Sequence, residues 1–321
     1  MTSVVVVGSF NVDHVWQCDT LPAPGATLQG RYHSGPGGKG FNQAIAAARS
    51  GARTHFVCAL GADAGGTLAR ELATADGLML HALESGQPTG TAGIYVDARG
   101  RNSIVIGAGA NASLEVAHVQ AQAEAISTAG VLLAQLESPL ESISAALSLA
   151  RASGVPTLLN PAPANAATTV ELLALADVIT PNETEFATLL ARHHGERLEP
   201  EQIATTDSAR LHALCREILP YGSVVITLGS TGVFVSHPEA NQRDDGKSHY
   251  RVAAETANAI DTTGAGDAFN GALATSLADS PGRAFIEHVR FANRYAALST
   301  ERAGAALAMP RLEEVQERFP S

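Results

Sequence analysis

Residues 261–271 read Asp-Thr-Thr-Gly-Ala-Gly-Asp-Ala-Phe-Asn-Gly, and the rest of the chain is interpreted from this stretch. Gly264, Ala265 and Gly266 are small enough for a tight backbone turn that exposes consecutive N–H groups. The apolar run Ala268–Leu277 predicts a helix directly after that turn. A helix N-terminus with unpaired N–H groups is an anion site. Asp267 stands at the same terminus. A carboxylate beside an anion site suits an enzyme that takes a proton from a hydroxyl while holding the charge of a phosphoryl group in transfer. An aspartate N-cap after a glycine turn is the purely structural alternative for the same residues.

Near the N-terminus, residues 35–43 read Gly-Pro-Gly-Gly-Lys-Gly-Phe-Asn-Gln. This is not a Walker A loop, because Lys39 is followed by Gly40 and not by Ser or Thr. Gly37, Gly38 and Gly40 let the backbone approach a small ligand closely. Only two lysines occur in the chain, Lys39 and Lys247, so a lysine between glycines suggests a need for a compact ammonium. Upstream, Asn11 and Asp13 follow the strand-like run Val4–Val7 and alternate along an extended chain, which puts them on one side. An amide and a carboxylate side by side can grip sugar hydroxyls as donor and acceptor. Turn chemistry at a strand end is the bland alternative.

Seven motifs stand in a fixed order: GSFNVD (8–13), GPGGKGFNQA (35–44), LESPLES (136–142), NPAPA (160–164), TPNETE (180–185), TLGSTG (227–232) and DTTGAGDAFNG (261–271). In that order, from Val4 to about Met309, they resemble the ribokinase branch of the PfkB carbohydrate kinase family. The resemblance implies an α/β fold with a central, mostly parallel sheet, helices on both faces and a small β lid. It implies one kinase domain over 1–321, with the lid built from segments 14–36 and 88–108 and pairing with a second subunit as a homodimer. The implied reaction is ATP-dependent phosphorylation of D-ribose at the 5-hydroxyl, giving ribose 5-phosphate and ADP. A family kinase acting on another small sugar or a nucleoside is the first alternative. A non-catalytic sugar-binding protein on the same fold is the second, and the intact Asp267 and anion-hole glycines argue against it.

The resemblance gives each motif a role. Asn11, Asp13, Gly38, Lys39, Asn42 and Glu137 would hold the pentose. Asp267 would accept the proton, and the N–H groups of Gly264, Ala265 and Gly266 would stabilise the transferring phosphoryl group. Thr227, Gly229, Ser230 and Gly232 would approach the nucleotide, and Asn293 would border the adenine. Asn182 and Glu185, three apart at a helix start, share a face and could hold the water shell of Mg²⁺. The same pair could equally form a capping box. Some members also use K⁺, and the matching positions are Asp261, Thr263, Ser299, Arg302, Gly304 and Ala308. Ala308 departs from the common Ser there and offers no hydroxyl. ATP, Mg²⁺ and K⁺ are therefore the expected cofactors.

Composition agrees. The 321 residues are 45% hydrophobic and 17% charged, which suits a soluble globular enzyme. A formal charge of −11 argues against nucleic acid or an anionic membrane as partner. Cys18, Cys58 and Cys215 form no CxxC pair, which predicts reduced thiols and a cytoplasmic setting. No signal-type segment precedes Val4, and no apolar run approaches the ~20 residues needed to span a bilayer.

A coarse pass finds strands alternating with helices. Strands are predicted at 4–7, 54–60, 91–96, 102–106, 130–135, 156–159, 177–180, 223–228 and 232–236. Helices are predicted at 42–50, 64–75, 114–127, 139–152, 168–175, 183–191, 208–218, 266–278, 283–300 and 311–318. That alternation argues a parallel sheet covered on both faces. Residues 14–36 read as irregular, 88–108 as a hairpin, and Pro238–Ser248 as a solvated, neutral loop between strands. His193 and His194 are adjacent on a helix and so do not converge on a metal.

Overall fold

Four successive valines, Val4–Val7, form most of strand β1 (Ser3–Val7), and all four are fully buried. Val4 and Val6 join one apolar cluster with Phe41 and Phe269. Val5 and Val7 join a second cluster with Leu114 and Ile143. The two clusters are the two faces of one sheet, so the strand carries no polar alternation. Each fully buried valine contributes about 1.5–3 kcal/mol relative to exposure. The computed structural model describes residues 3–320; Met1, Thr2 and Ser321, at the ends of the expected 1–321 domain, lie outside the described residues.

Twelve further strands follow among the described residues: β2 (Asn11–Gln17), β3 (Arg31–Gly37), β4 (Arg53–Gly61), β5 (Met79–Ser85), β6 (Gly90–Val96) and β7 (Asn102–Gly107), then β8 (Val131–Ala134), β9 (Thr157–Leu159), β10 (Val178–Ile179), β11 (Ser223–Thr227), β12 (Val233–Ser236) and β13 (His249–Val252). Eight of them join β1 in one nine-stranded sheet, in the order β13-β12-β11-β10-β9-β8-β1-β4-β5. Pairings from β11 through β5 are parallel, and β12 runs antiparallel to both neighbours. The parallel strands therefore end at one edge, where an open α/β sheet places its ligands.

The other four strands form a separate sheet in the order β3-β2-β6-β7. β2 pairs antiparallel with β3 and parallel with β6, with Asn11 opposite Gly90. Trp16 stacks on Tyr95 at 5.3 Å and leans on Tyr32 at 5.2 Å within this sheet. Tyr32, Ile104, Val105 and Ile106 are exposed on it.

Several sequence expectations are corrected. Of residues 14–36, read as irregular, 14–17 belong to strand β2 and 31–36 to strand β3; Pro36 is tolerated because β3 is an edge strand with ladder bonds on one side only. β5 and β13 were not foreseen, and both are edge strands fixed by a neighbour's pairing. The expected helix 114–127 is two short helices, Val116–Gln120 and Ala123–Ser127. The break follows a tight Gln122 N–H to Val119 carbonyl bond, and it leaves Val119 and Ile126 both fully buried. The helix expected at 168–175 shrinks to Val170–Leu173, capped by Thr169. His193 and His194 diverge to Thr168 Oγ1 and the Glu217 carbonyl.

The Pro238–Ser248 loop is neither solvated throughout nor neutral. Asp245 is buried, accepts hydrogen bonds from His237 Nε2 (3.0 Å), Tyr250 and the Ile286 N–H (2.8 Å), and so caps the helix Phe285–Ser299. Arg243 reaches Ser223 Oγ at 2.8 Å and lies over the Phe285 ring. Two polar loop residues are thus drawn inward because a helix start and a strand end leave unpaired groups there.

Candidate active site

The carboxyl ends of the parallel strands deliver the side chains of one cleft of about 150 Å³. Asn160 follows β9, Thr180 and Asn182 follow β10, and Thr227 ends β11. Lys39, Glu185, Thr262, Gly264, Ala265, Gly266, Asp267 and Asn270 complete its lining.

Asp267 sits in the first turn of the helix Ala265–Asp279 and is 7% exposed. Gly264 caps that helix in the left-handed region at φ 75°, where a side chain would be strained. The Ala265 N–H is engaged with the Thr262 carbonyl at 3.2 Å, and the first helical bond runs from the Ala268 N–H to the Gly264 carbonyl. The N–H groups of Gly264, Gly266 and Asp267 have no acceptor among the described residues. The anion hole expected from three free N–H groups at 264–266 is therefore corrected by one residue: Ala265 is engaged, and Asp267 is free.

The Asp267 carboxylate is gripped at both oxygens. Asn42 Nδ2 donates to Oδ2 and Gln43 Nε2 to Oδ1, each at 2.9 Å. Both amides stand on the helix Lys39–Arg49. Gln43 is oriented in turn, because Gln135 donates to its Oε1 and its own Nε2 also reaches Asn160 Oδ1 at 3.1 Å. Burial raises the Asp267 pKa above the ordinary carboxylate value, against the pull of Lys39 and the two amides. Asn42 Oδ1 is buried without a partner, so an acceptor is left beside the base.

Four carboxylates, Asp13, Glu137, Glu185 and Asp267, share this region with the Lys39 ammonium. Glu137 Oε2 accepts from Ser9 Oγ (2.6 Å) and from the Lys39 N–H (3.0 Å), so it caps the Lys39–Arg49 helix. Asp13 fills the space a side chain at Gly37 would take. Its pKa is raised to about 7 by burial, then by the negative charges of Glu137 and Asp267. Burial pushes the Lys39 ammonium down, but Asp267, Glu137 and Glu185 together outweigh it and hold its pKa above the ordinary value. Asn11 is buried at the start of β2, and Gly38 caps the helix that carries Lys39.

Asn182 and Glu185 form a reciprocal capping box, each bond at 2.9 Å. The structural alternative for this pair is thus realised, and the same two side chains line the cleft. Burial raises the Glu185 pKa, partly offset by the Asn182 N–H and Lys39. Gly229 and Ser230 lie on the 3-10 turn Gly229–Thr231, exposed, with Gly232 at its end. Asn293 is buried, and its Nδ2 is engaged with the Ala253 carbonyl at 2.6 Å, so it anchors the segment leading to Asp261.

Asp261 accepts from the Thr263 N–H (2.9 Å) and hydroxyl (2.6 Å) with one oxygen and from the Gly304 N–H (2.9 Å) with the other. Burial works to raise its pKa, and these bonds outweigh it, so the group stands below the ordinary value. The carbonyl oxygens of Thr263, Ser299, Arg302 and Gly304 accept no hydrogen bond among the described residues. The Arg302 side chain pairs with Glu314, and Ala308 is buried in the 3-10 turn Ala306–Ala308.

Gln43, Ser9, Asn111, Asn160, Thr180 and Asn270 were missed in the sequence. Gln43 and Ser9 lay inside quoted motifs beside assigned residues and could have been found there. Asn160, Thr180 and Asn270 likewise stand inside quoted motifs, and only Asn111 lies outside them all.

The model of the pfkB family carbohydrate kinases matches residues 1–312. The chain is 38% identical over 318 residues to a ribokinase of Haemophilus influenzae, covering 98% of this chain and 97% of that protein. Its fold matches a Giardia lamblia ribokinase structure with TM-score 0.87 and 28% identity, covering 99% and 98% of the two chains. It matches the Arabidopsis thaliana ribokinase complexed with ribose and ATP with TM-score 0.80 and 31% identity, covering 98% of both.

Proposed function

The chain belongs to the pfkB family of carbohydrate kinases, and on that premise we propose that it transfers the γ-phosphoryl group of ATP to the 5-hydroxyl of D-ribose. The observation that carries this reading is the Asp267 carboxylate, held by two amides at the mouth of a helix where the N–H groups of Gly264, Gly266 and Asp267 are free. Catalysis of phosphoryl transfer is mostly positioning and charge neutralisation, and this cleft is built for both.

Asn11, Asp13, Lys39, Asn42, Glu137 and the backbone at Gly38 hold the pentose. The unpartnered Asn42 Oδ1 gives one sugar hydroxyl an acceptor next to the base. Asp267 takes the proton of the 5-hydroxyl as the sugar oxygen bonds to the γ-phosphorus. The bond from that phosphorus to the bridging oxygen breaks, and ADP leaves with the electron pair. The N–H groups of Gly264, Gly266 and Asp267 face the charge that builds on the transferring group. Thr227, Gly229, Ser230 and Gly232 approach the nucleotide.

Mg²⁺ fits beside Asn182 and Glu185, because the capping box engages one carboxylate oxygen of Glu185 and leaves the other for a metal-bound water. When bound there, it would supply charge neutralisation on the ATP oxygens. K⁺ fits the loop around Asp261, where four carbonyl oxygens are left unpaired beside a carboxylate. The four-stranded sheet acts as a lid over the sugar, built from 14–36 and 88–108 in a single domain. Its exposed Tyr32, Ile104, Val105 and Ile106 pair with a second copy in a cytoplasmic homodimer, which a mass measurement in solution reads directly.

The test is Asp267→Asn. It should fold, bind ribose and lower kcat by on the order of 10²–10⁴. Undiminished turnover in the folded variant overturns the base assignment. A nucleoside outcompeting ribose in a substrate panel moves the specificity to the first alternative.

A further inference from the structure

The turn after β7 carries a buried carboxamide that the reaction above does not use. Asn111, 2% exposed, lies on the 3-10 turn Gly109–Ser113. Its Oδ1 accepts the Phe10 N–H at 3.0 Å, and its Nδ2 donates to the Phe10 carbonyl at 2.9 Å. The second Nδ2 proton goes to Asn11 Oδ1 at 2.8 Å. One side chain thus holds both backbone groups of Phe10 and one end of the next residue's side chain.

A free asparagine can present either its oxygen or its NH₂ to a ligand, because a half-turn of the amide exchanges them. At Asn11 that choice is removed. Its oxygen faces a donor, and turning the amide would set two NH₂ groups against each other. Asn11 Nδ2 has no protein partner among the described residues and is not sealed from solvent. Asp13, two residues on and on the same side of β2, offers only acceptors when ionised.

The crossing leaves no spare room. A Cβ at Gly90, the residue opposite Asn11, would lie 2.2 Å from Asn111 Nδ2 and 2.3 Å from Asn11 Oδ1. The start of β2, the start of β6 and the turn after β7 therefore meet at one amide pair, where the four-stranded sheet joins the rest of the chain.

We propose that Asn111 is a positioning residue that fixes the Asn11 amide with its NH₂ toward the pentose, and so sets the donor-then-acceptor pattern by which the site selects a sugar. This rests on the reading that Asn11 touches the sugar. Losing one oriented hydrogen bond to a bound hydroxyl should weaken ribose binding about tenfold.

The experiment is a double-mutant cycle of Asn11→Ala and Asn111→Ala, read as KM for ribose and KM for ATP and by calorimetric titration of ribose. Asn111→Ala should raise the ribose KM about tenfold and leave the ATP KM unchanged. In the Asn11→Ala background the same change should add nothing. An undiminished extra effect in that background overturns the proposal, as does an equal loss for both substrates. Should the alanine variant not fold, Asn111→Asp keeps the volume and the acceptor for Phe10 and removes both donors. It invites the Asn11 amide to turn over, and the same cycle applies to it. If Asn11→Ala leaves the ribose KM unchanged while Asp13→Ala raises it, the premise and the proposal fall together and the kinase reading stands. If Asp267→Asn retains full turnover, it is the base assignment that fails, and the cycle is still read on ribose affinity alone.

Discussion

Gln43 Nε2 lies 2.9 Å from Asp267 Oδ1, joining two helices 224 residues apart in the chain. A donor to a carboxylate stabilises its charged form and lowers its pKa. Removing this one lets the pKa of Asp267, already raised by burial, climb further. Gln43→Met should therefore move the acidic limb of the kcat–pH profile to higher pH and reduce kcat at neutral pH about tenfold. A profile that keeps its position while kcat falls would make Gln43 a packing residue only.

Burial and the negative charges of Glu137 and Asp267 raise the Asp13 pKa to about 7. Ribose hydroxyls that donate to it favour the ion, so binding should depress that pKa and release a proton. Near pH 7 about half of the free protein carries the proton, so release should reach roughly half a proton per ribose. Ribose affinity should rise with pH through about 7 and level off above it. Calorimetry in two buffers of different ionisation enthalpy measures the release, and Asp13→Asn should abolish it. Proton uptake on binding would contradict the assignment.

The fold was legible where the signal is local. Val4–Val7, the 64–75 helix and the Asp267 helix follow from apolar runs, small residues and their caps. β5 reads Met-Leu-His-Ala-Leu-Glu-Ser, largely helix formers, and becomes a strand only because β4 lies beside it. The site divides in the same way. Asp267, Lys39 and Glu137 could be read from motifs, whereas Asn111 and the inward turn of Asp245 depend on partners far along the chain or on a buried terminus needing a cap.

Potassium should matter without touching substrate. Asp261 and the unpaired carbonyls of Thr263, Ser299, Arg302 and Gly304 flank the loop that leads into Gly264. A cation there should order the 261–266 and 299–308 segments and shape the anion hole. At constant ionic strength, which removes general screening, activity in K⁺ should exceed activity in Na⁺ or a bulky organic cation. Ala308→Ser, which restores a hydroxyl, should lower the K⁺ concentration needed for half-activation. Equal rates in all three salts would remove the site and leave the kinase reading intact.

His237 links the 238–248 loop to stability. Burial pushes its pKa from 6.5 down to about 4, against the upward pull of Asp245, with Arg243 and Arg216 adding to the depression. Between those values the unfolded chain binds more protons than the folded one. The contribution is therefore full above about 6.5 and is lost as pH falls toward about 4. The shift corresponds to about 2–4 kcal/mol. Thermal melts over that range should show a steeper loss of Tm for the native chain than for His237→Gln. Parallel slopes would show that the imidazole stays neutral in neither state more than the other.

The chain has a single tryptophan, Trp16, and it lies in the four-stranded sheet against Tyr32 and Tyr95. Indole emission from the unlabelled protein therefore comes from that sheet alone. Any change in its colour, lifetime or polarisation on adding a sugar reports rearrangement around one ring. Such a rearrangement can then be followed in stopped flow, separately from turnover, with no dye and no engineered reporter.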